Sequence, residues 1–220
     1  MVEFRSIFME KGKSMYNIGA VILAAGLSKR MGKPKLLLPF HEVPIIQYPV
    51  SLAVQNELKP IVLIGGKYMD DLKKTLAQYN EQVNFIYNEN YEVGMSTSLK
   101  RGIDCLKEKV DAVLVFLGDQ PLVPNEVVQK IIQEYETNKG KGVRIIRPRY
   151  GNEEGHPILF DSSLFPQFQH LQGDVGGKEI IKANRDYMKF IDFPNNNWGI
   201  DIDTPNEYDI LVKGKKDESF

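Results

Sequence analysis

Four cationic side chains lie within seven residues, directly after an apolar run near the start of the chain. The stretch VILAAGLSKRMGKPK spans residues 21–35, and its cations are Lys29, Arg30, Lys33 and Lys35. Glycine and other small residues let backbone N–H groups approach an anion, and lysine or arginine adds positive charge. Loops at strand ends often carry function. These residue types therefore predict a phosphate-binding loop, with a solvated turn carrying scattered lysines as the alternative.

Two familiar phosphate-binding motifs do not fit this loop. A dinucleotide fingerprint needs a second glycine two residues after the first, and none follows Gly26 at that spacing. A Walker A loop has four residues between its glycines, and then Lys followed by Ser or Thr. Here five residues separate Gly26 from Gly32, and Pro34 follows Lys33. The loop is therefore predicted to belong to neither class.

A carboxylate lies at the end of the most apolar predicted strand. Asp119 follows Gly118 in the stretch VFLGDQPLV. A carboxylate in this position can bind Mg²⁺, which bridges the phosphates of a bound nucleotide. The alternative is a helix N-cap, but the next predicted helix begins near Pro124, which is too far along the chain. Asp119 is therefore predicted to be a metal ligand.

A second pair of acids lies near the end of the chain, in the stretch DIDTP, residues 201–205. Asp201 and Asp203 would share a face of an extended segment, so both could approach one site. The pattern T-P-x-E that starts at Thr204 could instead cap a helix from Asn206. The residues alone support both interpretations equally.

Strand and helix patterns alternate along the chain. Predicted strands span Ile18–Ala24, Pro60–Ile64, Val83–Tyr87, Ala112–Leu117, Val143–Arg147, His156–Phe160 and Met188–Phe193. Predicted helices span Ile45–Asn56, Met69–Tyr79, Thr97–Lys107, Glu126–Thr137 and Lys178–Ala183. This alternation indicates βαβ units, and continuous apolar runs such as AVLVFLG indicate strands covered on both faces. The chain is predicted to form one α/β domain, with a mostly parallel central sheet flanked by helices.

Three polar loops follow strands of this predicted sheet. In open α/β sheets, ligands bind beyond the carboxyl ends of the strands. The loops after Ala24, Tyr87 and Leu117 read AGLSKRMGKPK, NENYEVGMSTS and GDQPLVP. All three are polar or contain glycine, and the last carries an acid. We expect these loops to form the functional site.

Composition limits the class of protein. The chain has 220 residues, of which 42% are hydrophobic and 26% charged, and its net charge is −1. Proteins that bind nucleic acids or membrane surfaces usually carry a basic excess, so no nucleic-acid or membrane partner is predicted. No apolar run approaches the length of a membrane span. The single cysteine, Cys105, excludes an internal disulfide and a cysteine-rich zinc site.

The chain is predicted to have three parts. Residues 1–16 have no apolar signal-peptide core and are predicted to be a loose extension, with Met1 or Met15 as the natural start. Residues 17–213 are predicted to be the single domain, and residues 214–220 a solvated polar tail. The expected location is the cytoplasm.

Six segments occur in an order that resembles a known family. They read LAAGLSKRMGKPK, GMSTSLKRGI, FLGDQP, EEGHPILF, LQGDVGGKEII and DIDTPNEY. Together they resemble the molybdenum-cofactor cytidylyltransferase family within the MobA-like nucleotidyltransferases, from Ile18 to about Tyr208. The resemblance implies a Rossmann-like nucleotidyltransferase fold of the GT-A-like kind. It also implies transfer of CMP from CTP to molybdopterin with Mg²⁺, release of pyrophosphate, and a molybdenum hydroxylase or its maturation factor as the client.

The same resemblance implies roles for individual residues. Arg30, Lys35 and Asp119 would be catalytic, with both cations on the phosphates and Asp119 holding the metal. Asp203, preferred over Asp201, would be the second metal ligand. The nucleotide would also contact Leu23, Ala24, Ala25, Gly26, Ser28, Ser98 and Gly118, and the acceptor would contact His156 and Asp174.

Some of these residues also suit a structural role. Ser96 suits the N-cap of the helix that follows, which would leave Ser98 free for the base. His156 stands before a proline at a strand start and could be structural. Asp174 could cap the helix that begins near Gly177. Simple packing is predicted for Trp198, Cys105, Phe160, Phe165 and Phe168.

Other functions on the same fold stay open. The chain could transfer GMP or another nucleotide, or use a sugar phosphate or polyol phosphate as acceptor. It could also be a non-catalytic factor that hands a nucleotide or cofactor to a molybdenum hydroxylase. Arg30, Lys35 and Asp119 argue against that factor, which has no need of a metal carboxylate. The related guanylyltransferases have glycine where Ala25 stands, so the resemblance implies CTP in preference to GTP.

Overall fold

The computed structural model describes residues 14–174 and 176–213 of the chain. The predicted extension as far as residue 13, Val175 of the LQGDVGGKEII segment and the polar tail from residue 214 lie outside the described residues. Among the helices of the described ranges, none is long and apolar enough to cross a membrane.

Strands and helices alternate through the described residues. The strands are β1 (Ile18–Ala24), β2 (Pro39–Phe40), β3 (Val43–Pro44), β4 (Ile61–Gly65), β5 (Val83–Tyr87), β6 (Ala112–Leu117), β7 (Ile145–Tyr150), β8 (Glu153–Glu154), β9 (Ile158–Asp161) and β10 (Met188–Phe193). The helices are α1 (Gln47–Gln55), α2 (Met69–Thr75), α3 (Met95–Leu106), α4 (Asn125–Asn138), α5 (Phe165–Phe168), α6 (Lys178–Ala183) and α7 (Pro205–Lys213).

The central sheet is mixed, and its central strands are mainly parallel. Its order is β10-β7-β9-β6-β1-β4-β5, and β8 pairs with β7. β1 pairs in parallel with β4 and β6, β4 with β5, and β7 with β10. β9 is antiparallel to both β6 and β7. The predicted mostly parallel sheet flanked by helices is confirmed. The chain order reverses between β1 and β6, which is the switch point where such sheets bind ligands.

Apolar side chains cover both faces of the sheet. Alternate residues of β1 point to opposite faces, so Ala20 and Ile22 join one buried cluster and Val21 joins the other. Helices α1 and α4 pack in the first cluster, and α3, α5 and α6 in the second. The predicted packing role of three phenylalanines is confirmed, because Phe168 makes ring contacts with Phe160 and Phe165. Trp198 packs likewise against Tyr150 and Phe193.

Several predicted element boundaries are exact and others shift for identifiable reasons. β1, β5, β6, β10 and α6 have the predicted limits. α1 starts two residues later than predicted, and the N–H groups of Ile45 and Ile46 donate instead to Leu38 O and Leu36 O in the preceding bend. β7 continues to Tyr150 because it pairs with β10 as far as Phe193. β4 and α4 each differ from the prediction by one residue at both ends, and β9 begins at Ile158 rather than His156. The predicted helix Met69–Tyr79 divides into α2 and a 3-10 turn.

Candidate active site

The loop after β1 is held in shape by its backbone and by one buried side chain. The 3-10 helix Lys29–Met31 follows shortly after the strand. The N–H groups of Met31 and Gly32 both donate to Ser28 O, at 3.0 and 3.2 Å. Ser28 and Gly32 have left-handed backbone conformations, with φ of 52° and 66°, and Met31 is buried. The loop is therefore a compact turn anchored by Met31.

Four predicted site residues meet in one ion-paired cluster. Lys35 Nζ lies 2.6 Å from Asp119 Oδ2 and 2.7 Å from Asp203 Oδ1. Arg30 Nη2 lies 2.7 Å from the other Asp203 oxygen, Oδ2. The side chain of Lys35 is 11% exposed, whereas that of Arg30 is 69% exposed. Three segments that are far apart in the chain thus meet at the switch point between β1 and β6.

The cluster stabilises the charged forms of Lys35 and Asp203. Burial alone would lower the pKa of Lys35, but attraction to Asp119 and Asp203 raises that pKa above its ordinary value. Burial would raise the pKa of Asp203, but its bonds to Lys35 and Arg30 hold the pKa below its ordinary value. An opposite charge at this distance favours ionisation of both partners. Lys35 and Asp203 are therefore both charged at neutral pH.

The third acid, Asp201, lies beside the cluster on a fixed segment. Its Oδ1 accepts a hydrogen bond of 2.8 Å from Gln120 Nε2, which also donates to Gly199 O at 3.1 Å. The buried residue Ile202 donates its N–H to Asp119 O at 3.2 Å. Desolvation, followed by repulsion from Asp119, raises the pKa of Asp201 to about 6. Asp201 thus approaches the site as predicted, but Asp203 contacts the cations.

The helix-cap interpretation of the DIDTP stretch is confirmed, while the metal-binding role of its acids stays a prediction. Thr204 Oγ1 accepts from the N–H of Glu207 at 3.2 Å, and Glu207 Oε2 accepts from the N–H of Thr204 at 2.8 Å. This reciprocal pair is a capping box, and Pro205 is the first residue of α7. Asp203 directly precedes Thr204, the capping residue. The cap of α7 therefore fixes the backbone that presents Asp203 to the cluster.

The two carboxylates of the cluster suit a divalent cation. Asp119 Oδ2 and Asp203 Oδ1 both contact a single ammonium nitrogen, so one cation can reach both oxygens. Mg²⁺ commonly uses one or two carboxylates, with phosphate oxygens and water completing its coordination. In the ranges that the structure describes, no group of three or more His, Cys, Asp or Glu residues is arranged to hold a metal.

The backbone predicted to face the nucleotide lies next to this cluster. The N–H of Gly118 donates to Leu23 O at 3.0 Å, and a Cβ at Gly118 would come within 2.8 Å of the same oxygen. Glycine is therefore required where the β6 loop crosses β1. Gly26 faces open space, since an added Cβ would meet nothing within 4 Å. Ala24 and Gly26 line a small depression together with Tyr68, a residue that the sequence did not indicate.

The loop after β5 is organised by a buried amide. Asn88 is 4% exposed, and its Nδ2 donates to Thr97 Oγ1 at 2.8 Å and to Ser98 Oγ at 3.0 Å. Its N–H donates to Gly65 O at 2.9 Å. The expectation that Ser98 has a free hydroxyl is wrong, because Ser98 is buried and bonded to Asn88. Sequence reasoning missed Asn88 and Gln120, although each lies just beyond a predicted strand.

Asp174 caps a helix, but a different one from that predicted. Its Oδ1 accepts from the N–H of Met95 at 3.0 Å, while the N–H of Ser96 donates to Gly173 O at 3.2 Å. Asp174 therefore caps α3 and not the helix near Gly177. Ser96 is buried inside the first turn of α3, so its predicted role as N-cap is wrong. These contacts join the loop predicted for the base to the loop predicted for the acceptor.

His156 lies just before β9, beside two cations. Desolvation by burial, with smaller contributions from Arg147 and Lys178, lowers its pKa to about 3. The imidazole is therefore neutral at neutral pH. The carbonyl oxygen of His156 accepts a hydrogen bond of 2.6 Å from Tyr150 Oη, and Arg147 pairs with Glu154. His156 thus has structural contacts, and its predicted contact with an acceptor stays a prediction.

Known proteins resemble this chain over most of its length. The MobA-like NTP transferase domain family matches residues 20–187. The molybdenum cofactor cytidylyltransferase of Escherichia coli is 26% identical over 194 residues, which are 88% of this chain and 95% of that protein. The nicotine blue oxidoreductase of Paenarthrobacter nicotinovorans is 25% identical over 197 residues, covering 85% of this chain and 92% of that protein. The crystal structure of Rv0371c from Mycobacterium tuberculosis has a TM-score of 0.73 at 25% identity, covering 89% of this chain and 97% of that chain.

Proposed function

The chain belongs to the MobA-like NTP transferase family, and we propose that it transfers CMP from CTP to a molybdopterin-type acceptor, with release of pyrophosphate. Family membership makes it a nucleotidyltransferase. The finer assignment is supported by the Escherichia coli relative, which is named as a molybdenum cofactor cytidylyltransferase. A cytoplasmic location and a molybdenum hydroxylase client remain predictions.

The observation that carries the proposal is the ion-paired cluster at the switch point. Lys35 and Arg30 supply two cations, and Asp119 and Asp203 supply two carboxylates, all at the carboxyl ends of β1 and β6 or beside them. A nucleoside triphosphate with a bound metal needs both kinds of group. The cations suit its phosphate oxygens, and the carboxylates suit the metal.

The transfer itself needs no protein nucleophile. A phosphate oxygen of the acceptor forms the new bond to the α-phosphorus, while the bond between that phosphorus and the leaving oxygen breaks. Pyrophosphate leaves with the electron pair. Lys35 and Arg30 hold the phosphates in line and neutralise the charge that develops on them. Mg²⁺ held by Asp119 and Asp203 would supply further neutralisation of the phosphate oxygens.

The nucleotide base is proposed to lie against the backbone from Leu23 to Gly26, close to Ser28 and Gly118. A methyl group at Ala25 takes room that a purine would use, which favours cytosine. Ser98 is buried and accepts a hydrogen bond from Asn88, so it supports the loop after β5 more than it offers a free hydroxyl. His156 and Asp174 remain proposed for the acceptor side.

Two alternatives are less well supported. A non-catalytic factor has no use for a pair of carboxylates that share one cation. The oxidoreductase name of one relative is not carried over, because the first loop lacks a dinucleotide fingerprint. Guanylyl transfer and sugar- or polyol-phosphate acceptors remain the nearest competitors within the family.

Pyrophosphate release tests the proposal. The wild-type chain is incubated with Mg²⁺, purified molybdopterin and each of the four ribonucleoside triphosphates. We expect release with CTP, dependent on molybdopterin, and its loss in Asp119→Asn. Pyrophosphate release from CTP that depends on a sugar phosphate would identify that sugar phosphate as the acceptor in place of molybdopterin. No release with any nucleotide, together with tight nucleotide binding, would favour the non-catalytic factor.

A further inference from the structure

Lys35 occupies the point at which the two carboxylates of the site converge. Its ammonium nitrogen is 2.6 Å from Asp119 Oδ2 and 2.7 Å from Asp203 Oδ1. The side chain is 11% exposed, so solvent screens these contacts only partly. Arg30 contacts the second oxygen of Asp203 from the exposed side. The cluster therefore contains two cations and two carboxylates, with the third acid, Asp201, beside them.

A divalent metal and this ammonium cannot use the same two oxygens together. Mg²⁺ lies about 2.0–2.1 Å from its oxygen ligands. A metal that bound Asp119 Oδ2 and Asp203 Oδ1 from the side of Lys35 would thus lie within the space that Lys35 Nζ fills. Two cations at such a short separation repel each other strongly. Lys35 has to release these two oxygens before a metal can bind both of them from that side, and its ammonium then needs another anion as a partner.

We propose that Lys35 blocks the metal site to free divalent cations. The metal then enters only together with a nucleoside triphosphate, whose phosphate oxygens replace the carboxylates as partners of Lys35 and Arg30. A bare divalent cation would add two positive charges beside the two cations that already contact these carboxylates. A metal–triphosphate complex instead brings phosphate oxygens that can accept from Lys35 and Arg30 while the metal takes the freed carboxylates. This inference rests on the proposed nucleotidyl transfer and adds an order of binding to it.

Binding of Mn²⁺ without any nucleotide tests the inference. Free Mn²⁺ is measured by electron paramagnetic resonance during titration of the full chain. The wild type is expected to bind Mn²⁺ weakly. Lys35→Met keeps most of the length of the side chain and removes its charge, and it should bind Mn²⁺ about 10- to 100-fold more tightly, the scale of one charge-assisted hydrogen bond. An exposed lysine of the same loop provides the control, since Lys29→Met should bind Mn²⁺ like the wild type.

The double variant Lys35→Met/Asp203→Asn should lose the increase in Mn²⁺ affinity, because the second carboxylate is then absent. Circular dichroism verifies the fold of each variant, and Lys35→Gln replaces Lys35→Met if the latter does not fold. Equal Mn²⁺ affinity of the wild type and the Lys35 variants would overturn the inference. So would tight binding of Mn²⁺ by the wild type alone, a measurement that needs no variant.

Failure of this inference can be told apart from failure of the proposed function. A wild type that releases pyrophosphate from CTP, but whose Lys35 variants gain no Mn²⁺ affinity, refutes only the blocking role of Lys35. A wild type that releases no pyrophosphate with any nucleoside triphosphate refutes the proposed function, whatever the Mn²⁺ titration gives.

Discussion

At the scale of single residues, Asp119 contributes both a backbone contact and a charged side-chain contact to the site. Its carboxylate contacts Lys35, and its carbonyl oxygen accepts from Ile202. Asp119→Asn preserves the backbone contact and removes the charge, while Lys35 keeps Asp203 as a partner. We expect turnover with CTP to fall about 10²- to 10³-fold, with little change in melting temperature. Near-normal steady-state kinetics would remove Asp119 from the mechanism.

The lysines of the first loop should differ sharply. Lys35 lies inside the cluster and Lys29 outside it, on the exposed side of the turn. Lys35→Ala should lower kcat/KM for CTP by about 10- to 100-fold, because a charged contact to phosphate is lost. Lys29→Ala should keep kcat/KM near the wild-type value, and Arg30→Ala should lower kcat/KM to an extent similar to Lys35→Ala. If all of these variants behaved alike, the loop would be a generic positive patch.

Ala25 is the residue on which we expect base choice to depend. It lies on the half-buried part of the loop, between Ala24 and the open position at Gly26. Ala25→Gly removes one methyl group and should shift preference from CTP toward GTP, by up to about 10- to 200-fold in relative kcat/KM. The shift is measured with both nucleotides in competition. An unchanged ratio would mean that other groups select the base.

At the scale of elements, Asp174 links two loops by capping α3. Its bond to the N–H of Met95 satisfies one of the free donors at the helix start. Asp174→Ala should lower the free energy of unfolding by about 1 kcal/mol, the usual cost of losing such a cap. Urea denaturation gives the value, with Asp186→Ala at an exposed position as the control. Equal stability of both variants would show that the cap contributes nothing.

The desolvation of His156 before β9 should make stability depend on pH. Its folded pKa of about 3 lies below the ordinary value of 6.5, so the unfolded chain binds the proton more readily. The contribution of His156 to the free energy of unfolding is fully present above pH 6.5 and decreases as the pH falls toward 3. At pH 5.5 it is lower by about 1 kcal/mol. His156→Gln should reduce the loss of unfolding free energy between about pH 7 and pH 5.5. His170→Gln, at an exposed site, should leave that loss unchanged.

Sequence patterns predicted the buried elements well, and the short or locally bent ones poorly. Strands such as β1 and β6 are continuous apolar runs between polar loops, so their ends are visible in the sequence. The two-residue strands β2, β3 and β8 were not predicted, because two residues carry no periodicity. The start of α3 was misplaced because its cap, Asp174, is 79 positions away in the chain.

At the scale of the whole molecule, the sheet explains why distant motifs form one site. Lys35 is 84 positions from Asp119 and 168 from Asp203. Because ligands bind beyond the carboxyl ends of the strands, the sequence alone predicts that the loops after β1 and β6 share a site. The direct pairing of Lys35 with both acids was not predicted, because it depends on side-chain geometry between segments. The same holds for Asn88 and Gln120, whose partners only the fold defines.

The product formed from competing nucleotides decides whether the chain is a cytidylyltransferase. Wild-type chain, Mg²⁺ and molybdopterin are incubated with equimolar CTP and GTP, and the modified pterin is identified by mass spectrometry. We predict molybdopterin that carries CMP, in excess over the GMP product, with pyrophosphate released in an amount equal to the total modified pterin. A product that carries mainly GMP would contradict the cytidylyltransferase assignment itself.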